Sequence, residues 1–584
     1  MSSKNRLYND VKKCRDLREV VNNAVEKFSD KTAFIEKIRI GTNVTYRNIT
    51  YKEFKEEMDG LASSLISLGL KDKKIAILSQ NRYEWIESYF AIVNGVGIVV
   101  PLDRSLPKDE VVSLLRRSKV DAIIFDGKYK DIMKEIKDTD KENNVKYYIC
   151  IDKEENDDFI SYDKLIEKGK EYVKEDSDYY KQYVNAEIDP KEMKILLYTS
   201  GTTSMSKAVM LCHENLVTEL YGLESVLKLY PEKDRYLEFL PLHHTLGAIV
   251  MIFIFATGGE TAFCEGLRHI QENIMEYKAN IFVAVPLLIE NIYKKLMKQI
   301  EKKGKLKKVL FGRKLCSFLL KFGIDIRRKV FKEVIDNLGG LRVVISGAAS
   351  LDKEVARAFN EMGIELVQGY GLTETSPVIT VENDKYIKYG SVGFPLIDVE
   401  VKIEDPDENG IGEIKTRGPI VMLGYYEMED ETKEVLTDDG WFYTGDLGYI
   451  DDEGYLFVTG RKKYVIVLKN GKNIYPEELE NLINKLPYVS ESIVFGYPKD
   501  DDLVVTAKIV YNKEYVDEMM QGISKEDLEA LIWQDIKKIN STLSTFKHIK
   551  KMVVTDEPMI KTTTAKIKKI AEIEKTIKEI KVKE

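Results

Sequence analysis

No stretch of this chain stays apolar long enough to span a membrane. The longest apolar run, Leu246 to Ala256, stops well short of the roughly 18–20 residues a crossing helix requires. Cysteine is also scarce. Cys14, Cys150, Cys212, Cys264 and Cys316 are scattered, odd in number and without CxxC spacing, which fits reduced thiols in a cytosolic protein rather than a disulfide framework. The opening Met1-Ser-Ser-Lys-Asn-Arg lacks the apolar core of a secretory signal. Positive charge is in deficit: 89 Lys and Arg face 97 Asp and Glu, a net −8, so overall charge gives no reason to expect nucleic acid. Internal repeats and low-complexity linkers are missing too. These absences lead to the expectation of a soluble, cytoplasmic protein, peripheral at most on an inner membrane face.

What is present points to α/β architecture. At 584 residues the chain exceeds a single hydrophobic core, so two or more domains are expected. Short β-branched runs, at Lys74–Leu78, Gly97–Pro101, Asp121–Phe125, Lys194–Leu197 and Leu341–Ile345, alternate with amphipathic stretches. In one of these, Tyr51 to Leu68, residues Phe54, Met58, Leu61 and Leu65 share one helical face. That alternation predicts largely parallel sheets. From Val399 to Ile450, Asp-Gly and Asn-Gly turns separate short strands, predicting a smaller β subdomain. Beyond Arg461 a compact α+β pattern predicts a separate domain, giving boundaries of 1–462 and 463–584.

One segment differs in charge. Between Lys294 and Lys332 lie about 15 Lys and Arg against two acids, interleaved with Leu310, Phe311, Leu315, Phe318, Leu319, Leu320 and Phe322. It reads either as a solvated helical hairpin packed on the main domain or as a surface for an anionic membrane. The hairpin is the commoner outcome for such a stretch.

The chemistry concentrates in loops. Tyr198-Thr-Ser-Gly-Thr-Thr-Ser-Met-Ser-Lys207 runs from an apolar strand into hydroxyls and glycine, ending on a lysine. Backbone N–H groups, hydroxyls and an ammonium together suit phosphate. It is not a Walker loop: only Gly201 precedes Lys207, and Ala208 follows where a magnesium-binding hydroxyl belongs. By composition alone such a stretch is more often an ordinary polar loop.

In order along the chain, this loop resembles the YTSGTTGxPKG signature of the adenylate-forming superfamily of acyl- and aryl-CoA synthetases, luciferases and peptide-synthetase adenylation domains. Leu240-Pro-Leu-His-His-Thr-Leu-Gly247, Ser346-Gly-Ala-Ala349, Gln368-Gly-Tyr-Gly-Leu-Thr-Glu374 and Gly412-Glu-Ile-Lys-Thr-Arg-Gly418 follow. Then come Tyr443-Thr-Gly-Asp-Leu447, Gly460-Arg-Lys-Lys463, Asn470-Gly-Lys-Asn-Ile-Tyr-Pro476 and Lys561-Thr-Thr-Thr-Ala-Lys566. The likeness covers about Leu17 to Ile570 and is closest to bacterial medium- and long-chain fatty acyl synthetases.

The resemblance implies a large N-terminal domain of α/β sheets with a β subdomain, plus a small mobile C-terminal domain. It implies that ATP, Mg²⁺ and a fatty or other carboxylic acid give an acyl-adenylate and pyrophosphate, and that the acyl group then passes to coenzyme A. An acyl carrier protein as acceptor stays open, as does a non-catalytic acyl- or nucleotide-binding relative. No carrier domain follows Lys566, which argues against a multi-module peptide synthetase.

By the same likeness Thr199, Ser200, Gly201, Thr202, Thr203 and Lys207 hold the β- and γ-phosphates, Thr373 the α-phosphate and Glu374 the metal. Tyr370, beside Gly371, is expected on the adenine, with Gly347, Ala348 and Ala349 on its other face. Asp446 and Arg461 are expected on the ribose; alone, Asp446 also reads as a turn residue. Lys566 is the expected catalytic lysine, although a solvated basic helix is the plain alternative. His243 and His244 either border the acyl pocket or are buried, satisfied histidines. Lys463 is the implied hinge, or else a surface lysine, and Gly471 the implied turn beside the pantetheine arm after rotation. Ser204, Ser206, Ala208, Tyr464, Ile560 and Ala565 depart from the family pattern without removing a charged or metal-binding group, so an active enzyme is expected.

Overall fold

Alternation along the strands decides the layering. Ile75 and Ile77 point into one hydrophobic cluster while Ala76 and Leu78 point into another. Likewise Ile281 and Val283 face away from Phe282 and Ala284. Both faces of each sheet are therefore covered, as parallel sheets require. The computed structural model describes residues 9–41, 43–152, 158–199, 206–228, 230–347, 349, 351–469, 471–499, 502–561 and 566–583.

One sheet has eight strands, in the order 424–425, 207–212, 193–199, 97–101, 73–78, 122–125, 147–150 and 160–161. A second has nine, in the order 394–395, 380–381, 365–370, 343–346, 281–284, 235–238, 260–263, 32–40 and 43–50. Their central pairings are parallel. Both edges of the nine-stranded sheet and one edge of the eight-stranded sheet are antiparallel, whereas strand 160–161 joins the other edge in parallel. The five predicted strands and the Tyr51–Ser67 helix are all present. Thr50 and Glu53 close that helix's N-terminus with a reciprocal capping box.

Between the two sheets lies helix Thr245–Ala256, buried from Gly247 to Phe255. A helix that is apolar all round belongs inside a protein, and this one joins the largest core cluster. Phe255 packs against Phe34 at 5.9 Å, Phe54 at 5.0 Å and Tyr51 at 4.6 Å between ring centroids. The Leu246–Ala256 run is thus a central core helix.

The β subdomain is a four-stranded antiparallel sheet, 400–404, 412–417, 442–450 and 456–461, so it extends past Ile450 to Arg461. Gly410 and Gly440 take φ of +77° and +85° in its turns, a conformation that favours glycine. From Ile466 onward a separate hydrophobic cluster forms around the 489–499, 502–511 and 551–555 sheet. The basic segment takes in the end of helix Pro286–Lys302, helix Leu306–Leu320 and the short helix Arg327–Val330. Among the described residues no helix is long and apolar enough to cross a membrane.

Candidate active site

A cleft of about 3050 Å³ collects most of the predicted residues. Thr199, Lys207, Gly347, Ala349, Tyr370 and Gly371 line it, as do Thr373, Glu374, Asp446, Arg461, Lys463 and Lys566. Ser200, Gly201, Thr202, Thr203 and Ala348 lie outside the described residues, as do Ser204 and Ala565. His244 lines the cleft, whereas His243 is buried beside it, and Gly471 (φ +78°) sits on a turn that does not border it.

The strand pair Met193–Thr199 and Lys207–Cys212 sets Thr199 opposite Lys207, with Thr199 Oγ1 donating to the Lys207 carbonyl at 3.3 Å. Ala208 pairs with Tyr198 in the same ladder and has no positive φ, so that site does not require glycine. Lys207 Nζ lies 4.6 Å from the centre of the Tyr425 ring. Tyr425 Oη in turn donates to Glu374 Oε1 at 2.9 Å. This leaves Glu374 Oε2 without a hydrogen bond among the described residues, which suits Mg²⁺, a hard cation that takes one or two protein oxygens besides phosphate.

Thr373 and Glu374 belong to a single 3₁₀ turn that follows Gly371. A Cβ on Gly371 would stand 1.8 Å from the Pro377 carbonyl oxygen, so only glycine fits. Thr245 Oγ1, at the start of the core helix, is 3.4 Å from Thr373 Oγ1. The polar end of the cleft therefore meets its apolar end at this pair. Leu246, Ile249, Val250 and Phe253 continue along one face of the core helix and line the cleft, as do Val283, Val285 and Leu288. Leu246 to Ile254 spans about 12 Å of apolar wall at a helical rise of about 1.5 Å per residue.

On the other side, Asp446 and Arg461 are register partners across the β subdomain. Arg461 Nε lies 2.6 Å from Asp446 Oδ1, and Tyr370 Oη donates to Asp446 Oδ2 at 2.8 Å. Asp446 is buried in the strand Phe442–Ile450 and joins Tyr370 to Arg461.

A profile of the AMP-binding enzyme family matches residues 21–426, and one for the AMP-binding enzyme C-terminal domain matches residues 463–582. The chain belongs to the AMP-binding enzyme family. The enzyme is 28% identical to a chloroplastic long-chain-fatty-acid–[acyl-carrier-protein] ligase of Arabidopsis thaliana, over 96% of this chain and 86% of that one. It is 31% identical to long chain acyl-CoA synthetase 4 of Arabidopsis thaliana, over 78% of this chain and 72% of that one. It shares its fold with the crystal structure of the anthranilate CoA ligase AuaEII in complex with anthranoyl-AMP, with a TM-score of 0.73, 20% identity and 99% of each chain covered.

Electrostatics in the enzyme's cleft follow from enclosure. Lys566 is open to cleft solvent but surrounded by the walls, and loss of hydration lowers its ammonium from the ordinary range. Arg461 lowers it further, while Asp446 and Glu374 oppose the shift. Lys463 is lowered to about 8 by burial and by Arg461. Burial raises the Asp446 carboxyl against the pull of Arg461 and Tyr370. The segment bearing Lys566 is anchored by Lys569, which pairs with Glu477 at 3.0 Å and Glu480 at 2.8 Å and lies 5.1 Å from the Tyr464 ring.

The histidine pair is buried but not satisfied. His213 shows the contrast: its Nδ1 accepts from Leu17 N at 3.0 Å and its Nε2 lies 3.1 Å from the Val93 carbonyl. His243 and His244, rings 4.3 Å apart, both leave Nε2 without a hydrogen bond among the described residues. His243 Nε2 approaches Asp103 Oδ1 at 3.4 Å, and one ligand atom from each of Asp103, His243 and His244 falls within 4.8 Å of the others. Burial lowers His244 to about 3, helped by His243 and Lys566, so it is neutral at ordinary pH. Sequence reasoning missed Asp103 and Tyr425. Neither falls within a motif, and only the fold brings them to the histidines and to Glu374.

Proposed function

We propose that the enzyme is an ATP-dependent fatty acid–thiol ligase that forms an acyl-adenylate and then a thioester. The observation that carries this reading is the continuity of the cleft. Its polar end gathers Lys566, Thr373, Glu374, Asp446 and Arg461, and its apolar end follows the core helix from Leu246 to Ile254.

Asp446 and Arg461 would hold the ribose, and Tyr370 the adenine. Thr199 and Lys207, with the loop between them, would bind the terminal phosphates. Mg²⁺ at Glu374 would supply charge neutralisation on the phosphate oxygens. A carboxylate oxygen of the acid attacks the α-phosphorus, and the bond to the departing pyrophosphate breaks. Lys566, protonated, lies between the two anions and neutralises both as they approach; positioned charge of this kind is the main catalytic resource for phosphoryl chemistry. In the second step the acceptor sulfur attacks the acyl carbon, its proton leaves, and AMP departs with the bonding electrons. The Nε2 of His244, without a hydrogen bond among the described residues, would offer a polar contact in the cleft beside the apolar wall.

Residues 1–462 and 463–584 would act as two domains turning about Lys463. In the present arrangement Lys566 is in the cleft and Gly471 is outside it, as adenylation requires; the second step would exchange them. Coenzyme A is the first reading for the acceptor. The Arabidopsis acyl-carrier-protein ligase, matched over 96% of this chain, favours a carrier protein as the second.

ATP–pyrophosphate exchange across acids of increasing chain length tests the first half-reaction, and exchange with no acid above background would refute the proposal. Coenzyme A and holo-carrier protein, supplied in parallel with labelled fatty acid, decide the acceptor.

A further inference from the structure

Helix Leu306–Leu320 is built the wrong way round for an ordinary surface helix. Its buried contacts are small: only Gly312 and Cys316 are buried, Gly312 against Phe331, and Arg313 pairs with Glu361 at 2.7 Å. Phe311, Leu315 and Phe318 follow i, i+4, i+7 spacing on the outward side, and Phe322 extends the row just past the helix end. Their exposures are 68%, 40%, 57% and 67%, and Ile324 adds 51%. Exposed apolar groups on this scale in one row mark an interaction surface.

The charges around the row are equally unusual. Lys298, Lys303 and Lys305, on and just after the preceding helix, are engaged by Glu518 and Glu333. Lys307, Lys308, Lys314, Lys321 and Lys329 form no ion pair among the described residues and are all exposed. An outward aromatic stripe flanked by unneutralised ammonium groups, on a chain of net charge −8, complements a surface that is both apolar and negative. The first helix of the pair connects this stripe to the cleft: Leu287, Leu288, Asn291 and Lys294 line the cleft on helix Pro286–Lys302, which runs into the stripe-bearing helix through residues 303–305.

We propose that residues 306–329 dock the enzyme on an anionic lipid bilayer, with Phe311, Phe318 and Phe322 entering the interface and the five lysines contacting headgroups. The docked cleft wall then stands next to the phase in which fatty acids concentrate; this consequence rests on the ligase reading, whereas the docking itself does not.

The test is co-sedimentation of the whole chain with phosphatidylcholine vesicles and with mixed phosphatidylcholine–phosphatidylglycerol vesicles, at low and high salt. The expected result is binding to the mixed vesicles alone, weakened at least about tenfold by salt. Combining Phe311→Ser, Phe318→Ser and Phe322→Ser should abolish binding. Combining Lys307→Gln, Lys308→Gln, Lys314→Gln and Lys321→Gln should do the same. Exchange activity with a short, freely soluble acid should be unchanged in both variants, which shows that they fold. Absence of binding to the mixed vesicles, or binding unaltered in both variants, overturns the proposal. So does a wild-type dimer in solution that the aromatic variant converts to monomer without any vesicle binding, which would make a second copy the occupant.

Discussion

Lys566 and Lys569 sit at the enclosed edge of the cleft, whereas Lys307, Lys308, Lys314 and Lys321 surround an outward aromatic row, and the two groups of lysines are held in different ways. Enclosure gives a lysine a definite position and changes its proton affinity: Lys569 is fixed by two glutamates, and Lys566 is lowered by lost hydration. Exposure gives neither, and a mobile ammonium in water contributes little to any single contact. Chemistry at one phosphorus atom needs the first kind. Attraction to an extended charged surface needs only the second, because many weak contacts add. Position, more than residue type, separates the roles.

The largest effect should come from Lys566→Ala. Loss of the charge proposed to neutralise the reacting oxygens predicts about a thousandfold slower ATP–pyrophosphate exchange, with thiolation of supplied acyl-AMP retained. Equal loss in both assays would remove the distinction between the two steps. Next, Asp446→Ala leaves Arg461 and the Tyr370 hydroxyl without their shared partner. A rise of about ten- to a hundredfold in the KM for ATP is expected, measured by exchange at saturating acid. Ile249→Trp adds bulk to the apolar wall and should cost long acids about tenfold more than short ones, read as the ratio of kcat/KM across a chain-length series.

The pH profile sharpens the same contrast. A lysine whose pKa is lowered keeps its charge below that value and loses it as pH rises through it. Exchange should therefore fall on the alkaline side before an ordinary lysine, near 10.5, would deprotonate. No loss should arise from His244 near pH 6.5, because its titration lies at about 3. The smallest effect belongs to the exposed set: Lys314→Gln should leave exchange with a soluble acid unchanged, and a measurable drop would mean that the basic helix acts on the cleft directly.

Local pattern made much of the architecture readable beforehand. Four of the five β-branched runs became strands followed by a helix, Lys194–Leu197 instead led into the antiparallel strand Lys207–Cys212, and the Phe54–Leu65 face packs as its spacing predicts. Ordered motifs located Thr373, Glu374, Asp446, Arg461 and Lys566, which come together only through strand register and through the C-terminal segment reaching the cleft. Asp103 and Tyr425 were not readable, since each is distant in sequence from what it touches. The state of the histidines was not readable either: His213 and His244 look alike in a string of letters, and only the hydrogen bonds made by the His213 ring, set against a His244 Nε2 that has none among the described residues, tell them apart.

Helix Thr245–Ala256 carries two obligations at once. Phe255 and its neighbours hold the two large sheets together, while Leu246, Ile249, Val250 and Phe253, on the same short cylinder, line the cleft and, in the proposed function, would set how much room a hydrocarbon tail receives. A mutation that lengthens or shortens that room also disturbs the junction on which folding depends. Variants selected for a different tail length should therefore accumulate changes first at Val285 and Leu288, which line the same cleft but are only half-buried, so that the space can be reshaped with less damage to the interior.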